Sequence, residues 1–449
     1  MKVETNSDDN YLFKEEPVAF AIEFTKNACQ NCALIKDLKA CSACHLAKYC
    51  SVKCQKKHWK THKHECHLVQ KKKFPLENPF MLIYRCLLMV KLGKFPEYNH
   101  FEMNLDKIKD EIDSSFLSRL VFVVNVCFEH YFTIEDAIIT HAIIQTNNFA
   151  ITSEITDIIG YGIFKTGSKI DHSCYPNVEY AFCGTEAKFY KTMPDDTTNN
   201  LSDYRITYVD LFDDFESRKK RLSETYHFQC DCIRCTDGHR IKAEKIMICC
   251  GHEKIGTGKV DPKLICDLAM VQGDDPTTVK CTFCGKEVKS TWIDHQDLSN
   301  FQYVEKAFSA KKSCESWIFK SRNPFNIELA RIINSIMFSL ESAPLEELFN
   351  GRTREELGLI ILKAFDWIME SFIPNNIPPK SAVQVLFLEF LMKFSLRACN
   401  EYKDFYLLKL FEKYQYLFND LVDKKDVRVF TDPYIKETFL RLYTVTQKT

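Results

Sequence analysis

Eight residues between positions 29 and 66 have the types and spacings of a metal-binding module: Cys29-x2-Cys32, Cys41-x2-Cys44, Cys50-x3-Cys54 and His62-x3-Cys66. A close cysteine pair brings two thiolates to one Zn2+ at ~2.3 Å, and a second pair completes the tetrahedron with no position left for water. Eight ligands therefore make two closed, structural sites, which fold a stretch that has too little apolar core to fold without them. The spacing allows both consecutive and interleaved pairing. His45, His58, His64 and His67 lie nearby as competitors, but the spacing favours His62. The stretch is also basic, with twelve lysines between Lys26 and Lys73 against two acids, Asp37 and Glu65. With seven thiolates and two Zn2+ the module carries about +7. Such a face could touch nucleic-acid phosphates or acidic protein segments, yet no interleaved aromatics support base stacking. Nucleic acid is the weaker expectation and a protein partner the stronger.

The remaining cysteines sort by position. Cys174, Cys230, Cys232 and Cys235 form one group, and Cys249, Cys250, Cys266, Cys281 and Cys284 another. Cys86, Cys127, Cys183, Cys314 and Cys399 read as ordinary small hydrophobes. A disulfide scaffold would require export, but residues 1–9 are polar and acidic where a secretory signal needs a basic and then an apolar stretch. The apolar run at 80–90 is broken by Arg85 and falls short of the ~20 residues that cross a bilayer. The expectation is an intracellular protein, in the nucleus, the cytoplasm or both, with no membrane association and with its thiols reduced and available to metal. Cys281-x2-Cys284 could form a knuckle completed by Cys249 or Cys250 and Cys266 as a fourth zinc site, the alternative being a loop of buried thiols. Across all 449 residues 60 basic side chains meet 61 acidic ones, so net charge gives no global reason for nucleic-acid binding. The length favours two to four compact units, expected to act as a monomer.

The elements that must hold these residues can be read coarsely. Residues 11–24, aromatic and β-branched with Pro17 at the middle, predict one edge strand or two short ones. Helical periodicity runs from about Pro79 to Ala142. Residues 143–235 are punctuated by Gly160, Gly162, Gly167, Pro176, Gly184 and Pro194, predicting a compact β unit. Beyond Leu298 amphipathic runs at 327–340, 355–372, 381–399 and 406–422, with breaks at Pro344, Pro374 and Pro378–Pro379, predict antiparallel helix pairs without a clear 34-residue repeat.

With its Ala47-Lys48-Tyr49-Cys50 and Cys54-Gln55-Lys56-Lys57-His58-Trp59 segments, the cysteine ladder resembles a MYND zinc finger. That resemblance implies interleaving, with Cys29, Cys32, Cys50 and Cys54 on one zinc and Cys41, Cys44, His62 and Cys66 on the other, and a proline-rich peptide as partner. Further on, Asn147-Asn148-Phe149, Gly160-Tyr161-Gly162, Asp171-His172-Ser173-Cys174-Tyr175-Pro176-Asn177, Ile206-Thr207-Tyr208-Val209-Asp210 and the run from Tyr226 to Cys235 resemble the SET-and-MYND branch of SET-domain protein lysine methyltransferases. The resemblance covers residues 11–235, and the tail by position only. It implies an α+β chain in which a split, β-rich SET domain is interrupted by a MYND finger and a helical insert, followed by an all-helical, tetratricopeptide-like C-terminal domain. The divisions are SET strands at 1–28, finger at 29–66, helical insert at 79–142, core SET at 143–212, post-SET zinc region at 213–240, connector at 241–298 and helical domain at 299–449. In the family a tyrosine matching Tyr208 faces the reacting amine, Tyr226 and Phe228 match walls of the lysine channel and cofactor pocket, and Asn147, Ser168, Asp171 and His172 match contacts to S-adenosylmethionine. Cys174, Cys230, Cys232 and Cys235 would hold a third zinc and close the channel walls.

Three features depart from the family. No glycine precedes Gly93, so the Gly-x-Gly turn expected near the start is missing; either the chain begins late or the cofactor pocket lacks a wall. Asp171 stands where the family carries Asn, keeping an acceptor but losing an amide donor and adding charge. Residues 197–204 lack a Gly-Glu-Glu-Leu-like turn. Two readings follow: a protein-lysine N-methyltransferase acting on histone or other protein tails, or a catalytically impaired scaffold that recruits protein partners, for example in transcriptional repression.

Overall fold

A computed structural model describes residues 11–35, 37–70, 77–95, 98–152, 158–193 and 200–245, and further on 261, 270–272, 278–281, 287–289, 325–342 and part of 361–390. Pro17, which has no N–H to donate to a ladder, separates β1 (Phe13–Glu15) from β2 (Ala19–Ile22), and the two strands go to different sheets. β1 pairs antiparallel with β9 (Glu186–Lys191), which pairs with β8 (Val178–Cys183). β2 pairs antiparallel with β6 (Ile158–Ile163), which pairs with β5 (Phe149–Thr152). Strands on either side of the finger in sequence thus share both sheets. Gly160 makes the second sheet possible, because a Cβ there would lie 2.3 Å from the Ala21 carbonyl oxygen. A core of Leu12, Phe149, Phe164, Val178 and Phe189 backs the first, with the Phe13 and Phe189 rings stacked at 4.4 Å.

Between these strands the chain builds the finger, with β3 (Lys39–Ala40), β4 (Lys48–Tyr49) and α1 (Val52–Gln70), and then four helices: α2 (Phe80–Lys91), α3 (Leu105–Glu111), α4 (Ser114–Phe122) and α5 (Ile134–Asn147). All of residues 80–89 in α2 are buried, Arg85 included, so this helix runs through the interior. α4 is capped by Asp113, whose carboxylate accepts from the Phe116 N–H at 2.7 Å, and α5 by a Thr133/Asp136 capping box. From that cap the helix continues past Ala142, with Ile143, Ile144 and Asn147 buried, so residues 143–147 belong to α5 and not to the β unit. The β unit also ends early. After β7 (Asp171–His172) and β10 (Arg205–Ile206), the chain turns helical in α6 (Phe215–Arg221), a π turn at Leu222–Tyr226, α7 (Ile233–Thr236) and α8 (Gly238–Lys245). An Asp214 cap on the Ser217 N–H, 2.8 Å, starts this run.

The connector holds an antiparallel meander of β11 (Met270–Gln272), β12 (Thr278–Cys281) and β13 (Glu287–Lys289) that the sequence reading does not anticipate. Cys281 ends β12; Cys249, Cys250, Cys266 and Cys284 lie outside the described residues. In the tail, α9 (Ile327–Ser342) and a π turn at Ile368–Phe372 that leads into α10 (Ile373–Asn376) are helical as expected from the periodicity. Pro374 is no break: it sits in the first turn of α10, where no intrahelical N–H is needed. The run at 406–422 and the proposed helix-pair stacking lie outside the described residues. Among the described residues no helix is long and apolar enough to cross a membrane.

Candidate active site and its zinc centres

The finger resolves the pairing that spacing leaves open. The ligand atoms of Cys29, Cys32, Cys50 and Cys54 lie within 4.8 Å of one another, as do those of Cys41, Cys44, His62 and Cys66. Sulfur separations of 3.5 Å (Cys32 to Cys50), 3.5 Å (Cys50 to Cys54) and 4.0 Å (Cys41 to Cys66) bracket the ~3.8 Å edge of a tetrahedron with ~2.3 Å bonds. The donor sets fit Zn2+, and their arrangement is interleaved: α1 contributes Cys54 to one site and His62 and Cys66, one turn apart, to the other. Cys41 and Cys44 come from the β3–β4 connection, where His45 takes a left-handed φ of 57°.

His62 extends inward. Its Nε2 is 3.5 Å from Cys44 Sγ and its Nδ1 is 3.2 Å from Glu65 Oε1, so a buried carboxylate orients the ligand imidazole. Glu65 in turn accepts from Arg85 Nη2 at 2.8 Å and Nε at 3.1 Å, and Arg85 Nη1 donates to the Phe20 carbonyl on β2 at 3.0 Å. Burial raises the Glu65 carboxyl, but Arg85 and His62 outweigh it and hold the group down to about 2. Sequence reasoning passes over both residues, taking Glu65 as a surface acid and Arg85 as an interruption. The usable signal is a lone charge inside an otherwise apolar helix, which cannot be buried without a partner.

A third set, Cys174, Cys230, Cys232 and Cys235, also lies within 4.8 Å, with Cys174 Sγ 3.5 Å from Cys235 Sγ. Beneath it Arg234 Nη1 donates to the Cys174 carbonyl at 3.2 Å, and Arg218 and Arg234 share Glu244, all three side chains fully buried. Four thiolates around Zn2+ carry about −2, and two guanidiniums with one carboxylate supply the opposite sign.

Beside this centre β7 and β10 pair in parallel, placing Arg205 opposite Asp171 and Ile206 opposite His172. The next turn delivers Tyr208, whose N–H donates to His172 Nδ1 at 3.0 Å and whose hydroxyl donates to the Ile170 carbonyl at 2.6 Å. Its ring centroid is 4.8 Å from that of Tyr226. Burial, with the nearby Asp171 charge, pushes the Tyr208 phenol well above its ordinary value. Asn147, Ser168, Ile170, Tyr180, Tyr208 and Tyr226 line one cavity of about 260 Å3. The Ser168 turn is shaped from β1, where the Glu15 carboxylate accepts from the Thr166 N–H at 2.9 Å and the Gly167 N–H at 3.0 Å. Glu15 and Tyr180 are contributors that no sequence signal marks.

Of the residues expected at a cofactor pocket, then, Asn147, Ser168, Tyr208 and Tyr226 come together and three do not. Asp171 points outward, its side chain 74% exposed and 3.8 Å from Arg205. His172 is turned to the thiolate centre, with Nε2 3.2 Å from Cys174 Sγ. Phe228 packs behind it, 5.9 Å from the His172 ring and against Cys174. The polar atoms of two lining residues are already engaged: Asn147 Nδ2 donates to the Glu102 and Ile143 carbonyls, each at 2.7 Å, and Ser168 Oγ donates to the Asn147 carbonyl at 2.7 Å.

The MYND finger family model matches residues 29–66. Histone-lysine N-methyltransferase SMYD3 of Homo sapiens is 29% identical over 246 residues, 50% of this chain and 55% of the relative. N-lysine methyltransferase SMYD2 of Homo sapiens is 29% identical over 230 residues, 49% and 52% respectively, and that of Gallus gallus 28% identical over 234 residues, 49% and 53%. The chain spans about half the length of the curated relatives it matches. A zinc finger joined to a mixed helix and sheet body, with such relatives, defines the class as a zinc-binding member of a lysine methyltransferase family. More narrowly, the chain is a SET-and-MYND protein.

Proposed function

We propose that this chain is a protein-lysine N-methyltransferase that uses S-adenosylmethionine, acts in the nucleus, the cytoplasm or both, and modifies a lysine of a histone or another protein. The observation that carries the reading is the convergence of Asn147, Ser168, Tyr208 and Tyr226, from four separate segments, on one cavity beside a closed four-thiolate centre. At about 260 Å3 the cavity lies below the ~300 Å3 lower bound of common ligand sites, which suits the reacting end of two molecules better than a whole cofactor. Asn147, Ser168 and Tyr226 would hold S-adenosylmethionine, which when bound supplies a methyl group on a cationic sulfur.

The chain's own part is positioning. Methyl transfer is an in-line displacement that needs a neutral amine held in line and no covalent enzyme intermediate. The raised Tyr208 phenol stays protonated near neutrality, so it is no base for the lysine. Its proton is committed to the Ile170 carbonyl, leaving the oxygen lone pairs to accept an amine N–H and fix its direction. The rings of Tyr180, Tyr208 and Tyr226 exclude water and favour the cationic product.

The second reading is a scaffold that recruits protein partners through its finger, including proline-rich peptides, and through its helical tail. Two observations favour it: Asp171, His172 and Phe228 stand outside the cavity, and no glycine precedes Gly93. Calorimetric titration of the zinc-loaded chain with S-adenosylmethionine separates the two. The enzyme reading expects one-to-one heat and methyl incorporation into a core-histone mixture; folded protein that gives no heat leaves the scaffold.

A further inference from the structure

A second, larger cavity of about 500 Å3 lies between β2, β6 and the helices α2, α4 and α5. It adjoins the tyrosine cavity, with Asn148 and Tyr161 bordering both, but it faces the opposite way along α5: His141, Ile144, Gln145 and Asn148 line it at helical spacing. Its interior holds polar atoms with nothing to bond. Asn78 Oδ1 and Nδ2 are both buried without a hydrogen-bond partner among the described residues, and so is His141 Nδ1, on a residue only 6% exposed. Leaving such groups unsatisfied costs about 1–3 kcal/mol each, so a cavity lined by them is built for a polar occupant.

The walls define what kind. Glu23 and Glu111 bring two carboxylates, and no lysine or arginine lines the cavity among the described residues, so an anionic ligand is disfavoured. Leu82, Pro79 and Ile144 provide hydrocarbon, and Phe116 and Tyr161 provide ring edges and faces. Burial keeps the His141 imidazole neutral, holding it down to about 4, so it adds no positive charge near pH 7. Glu111 also reaches His227 Nε2 at 3.9 Å, a weak contact that leaves most of its charge to the cavity mouth.

We propose that this cavity is a second ligand site, distinct from the tyrosine cavity, which takes a small organic cation with an apolar chain, an alkylammonium or alkylguanidinium. The carboxylates receive the cationic ends, the Asn78 amide and His141 Nδ1 meet its remaining polar atoms, and the apolar walls cover the chain. The proposal stands whether or not the protein methylates lysine.

The test titrates agmatine, a four-carbon chain with a guanidinium and an ammonium end, into the zinc-loaded full chain by calorimetry. One-to-one binding is expected, weakened roughly tenfold or more by Glu23→Gln and by Glu111→Gln. Tyr208→Phe and saturating S-adenosylmethionine should leave it unchanged, and neutral butylurea should give no heat. Glu111 is 58% exposed, so its variant keeps the test open if Glu23→Gln does not fold. Absence of heat up to about 10 mM agmatine overturns the proposal. So does binding that survives both Gln variants, or binding lost in Tyr208→Phe or displaced by S-adenosylmethionine, either of which assigns the amine to the tyrosine cavity.

Discussion

Glu65 shows how much one buried charge can join. It touches the zinc ligand His62 on one side and the guanidinium of Arg85 on the other, and Arg85 reaches the backbone of β2. Both charged side chains are within 2% of complete burial, so removing one strands the other. Arg85→Leu is expected to cost about 3–5 kcal/mol in denaturant unfolding with zinc in excess, and Arg85→Leu with Glu65→Gln should recover much of that loss. A loss of less than ~1 kcal/mol for the single variant would show that the pair is not the link. Tyr208 calls for a different readout. Tyr208→Phe keeps the ring against Tyr226 and deletes the hydroxyl, so under the methyltransferase reading the single-turnover rate should fall by roughly 10² to 10³ while cofactor affinity changes less than about threefold. Parallel losses in both would make the hydroxyl a support for the Ile170 turn and nothing more. At this scale Asn147, Ser168, Tyr208 and Tyr226 were legible because their sequence motifs fit one template. Asp171 and His172 were not, because adjacent residues of a strand face opposite ways and only the folded sheet reveals which side the cavity is on.

The β8–β9 hairpin joins the β unit to the finger. Its turn carries Gly184 at φ 68°, and a Cβ there would lie 2.5 Å from the Cys32 carbonyl oxygen. Next to it Thr185 Oγ1 donates to the Asn31 carbonyl at 3.4 Å and to Glu16 at 3.2 Å. The glycine is therefore needed twice, for a left-handed backbone and for a close approach of two chains. Gly184→Ala is expected to destabilise by at least ~1–2 kcal/mol from the backbone term alone, with the clash added. Hydrogen exchange should locate the loosening at the hairpin and residues 29–34, and a change confined to the hairpin would mean that the finger docks elsewhere. Element types followed the period of the sequence where it was long, as in α5. Ends went astray where a side-chain cap decided them: Thr133 carries α5 through to Asn147, and Asp214 starts helices where glycine and proline punctuation reads as β. The Gly184 contact itself is long-range, and no local pattern announces it.

At the scale of the molecule, the metal centres organise different halves. The finger sites reach β2 and α2 through Glu65 and Arg85. The four-thiolate centre reaches the tail by another route: Arg234 and Arg218 converge on Glu244 of α8, Arg240 of the same helix donates to the Asn375 carbonyl of α10, and the Phe212 and Phe372 rings stack at 5.4 Å. Because free energy from zinc binding is folding energy for whatever the ligands tie together, each centre should stabilise its own half. Elemental analysis is expected to return three zinc equivalents per chain from the described clusters, a fourth pointing to the cysteines at 249–284. Cys235→Ser should then raise amide exchange in α8, α10 and the Tyr208 turn while α1 stays protected, and Cys66→Ser should loosen α1 and α2 while α8 and α10 stay protected. If either variant loosens both halves equally, the buried arginine routes are not separate and the chain unfolds as one cooperative unit. If neither variant loosens its own half, the thiols are packing groups and the metal is dispensable.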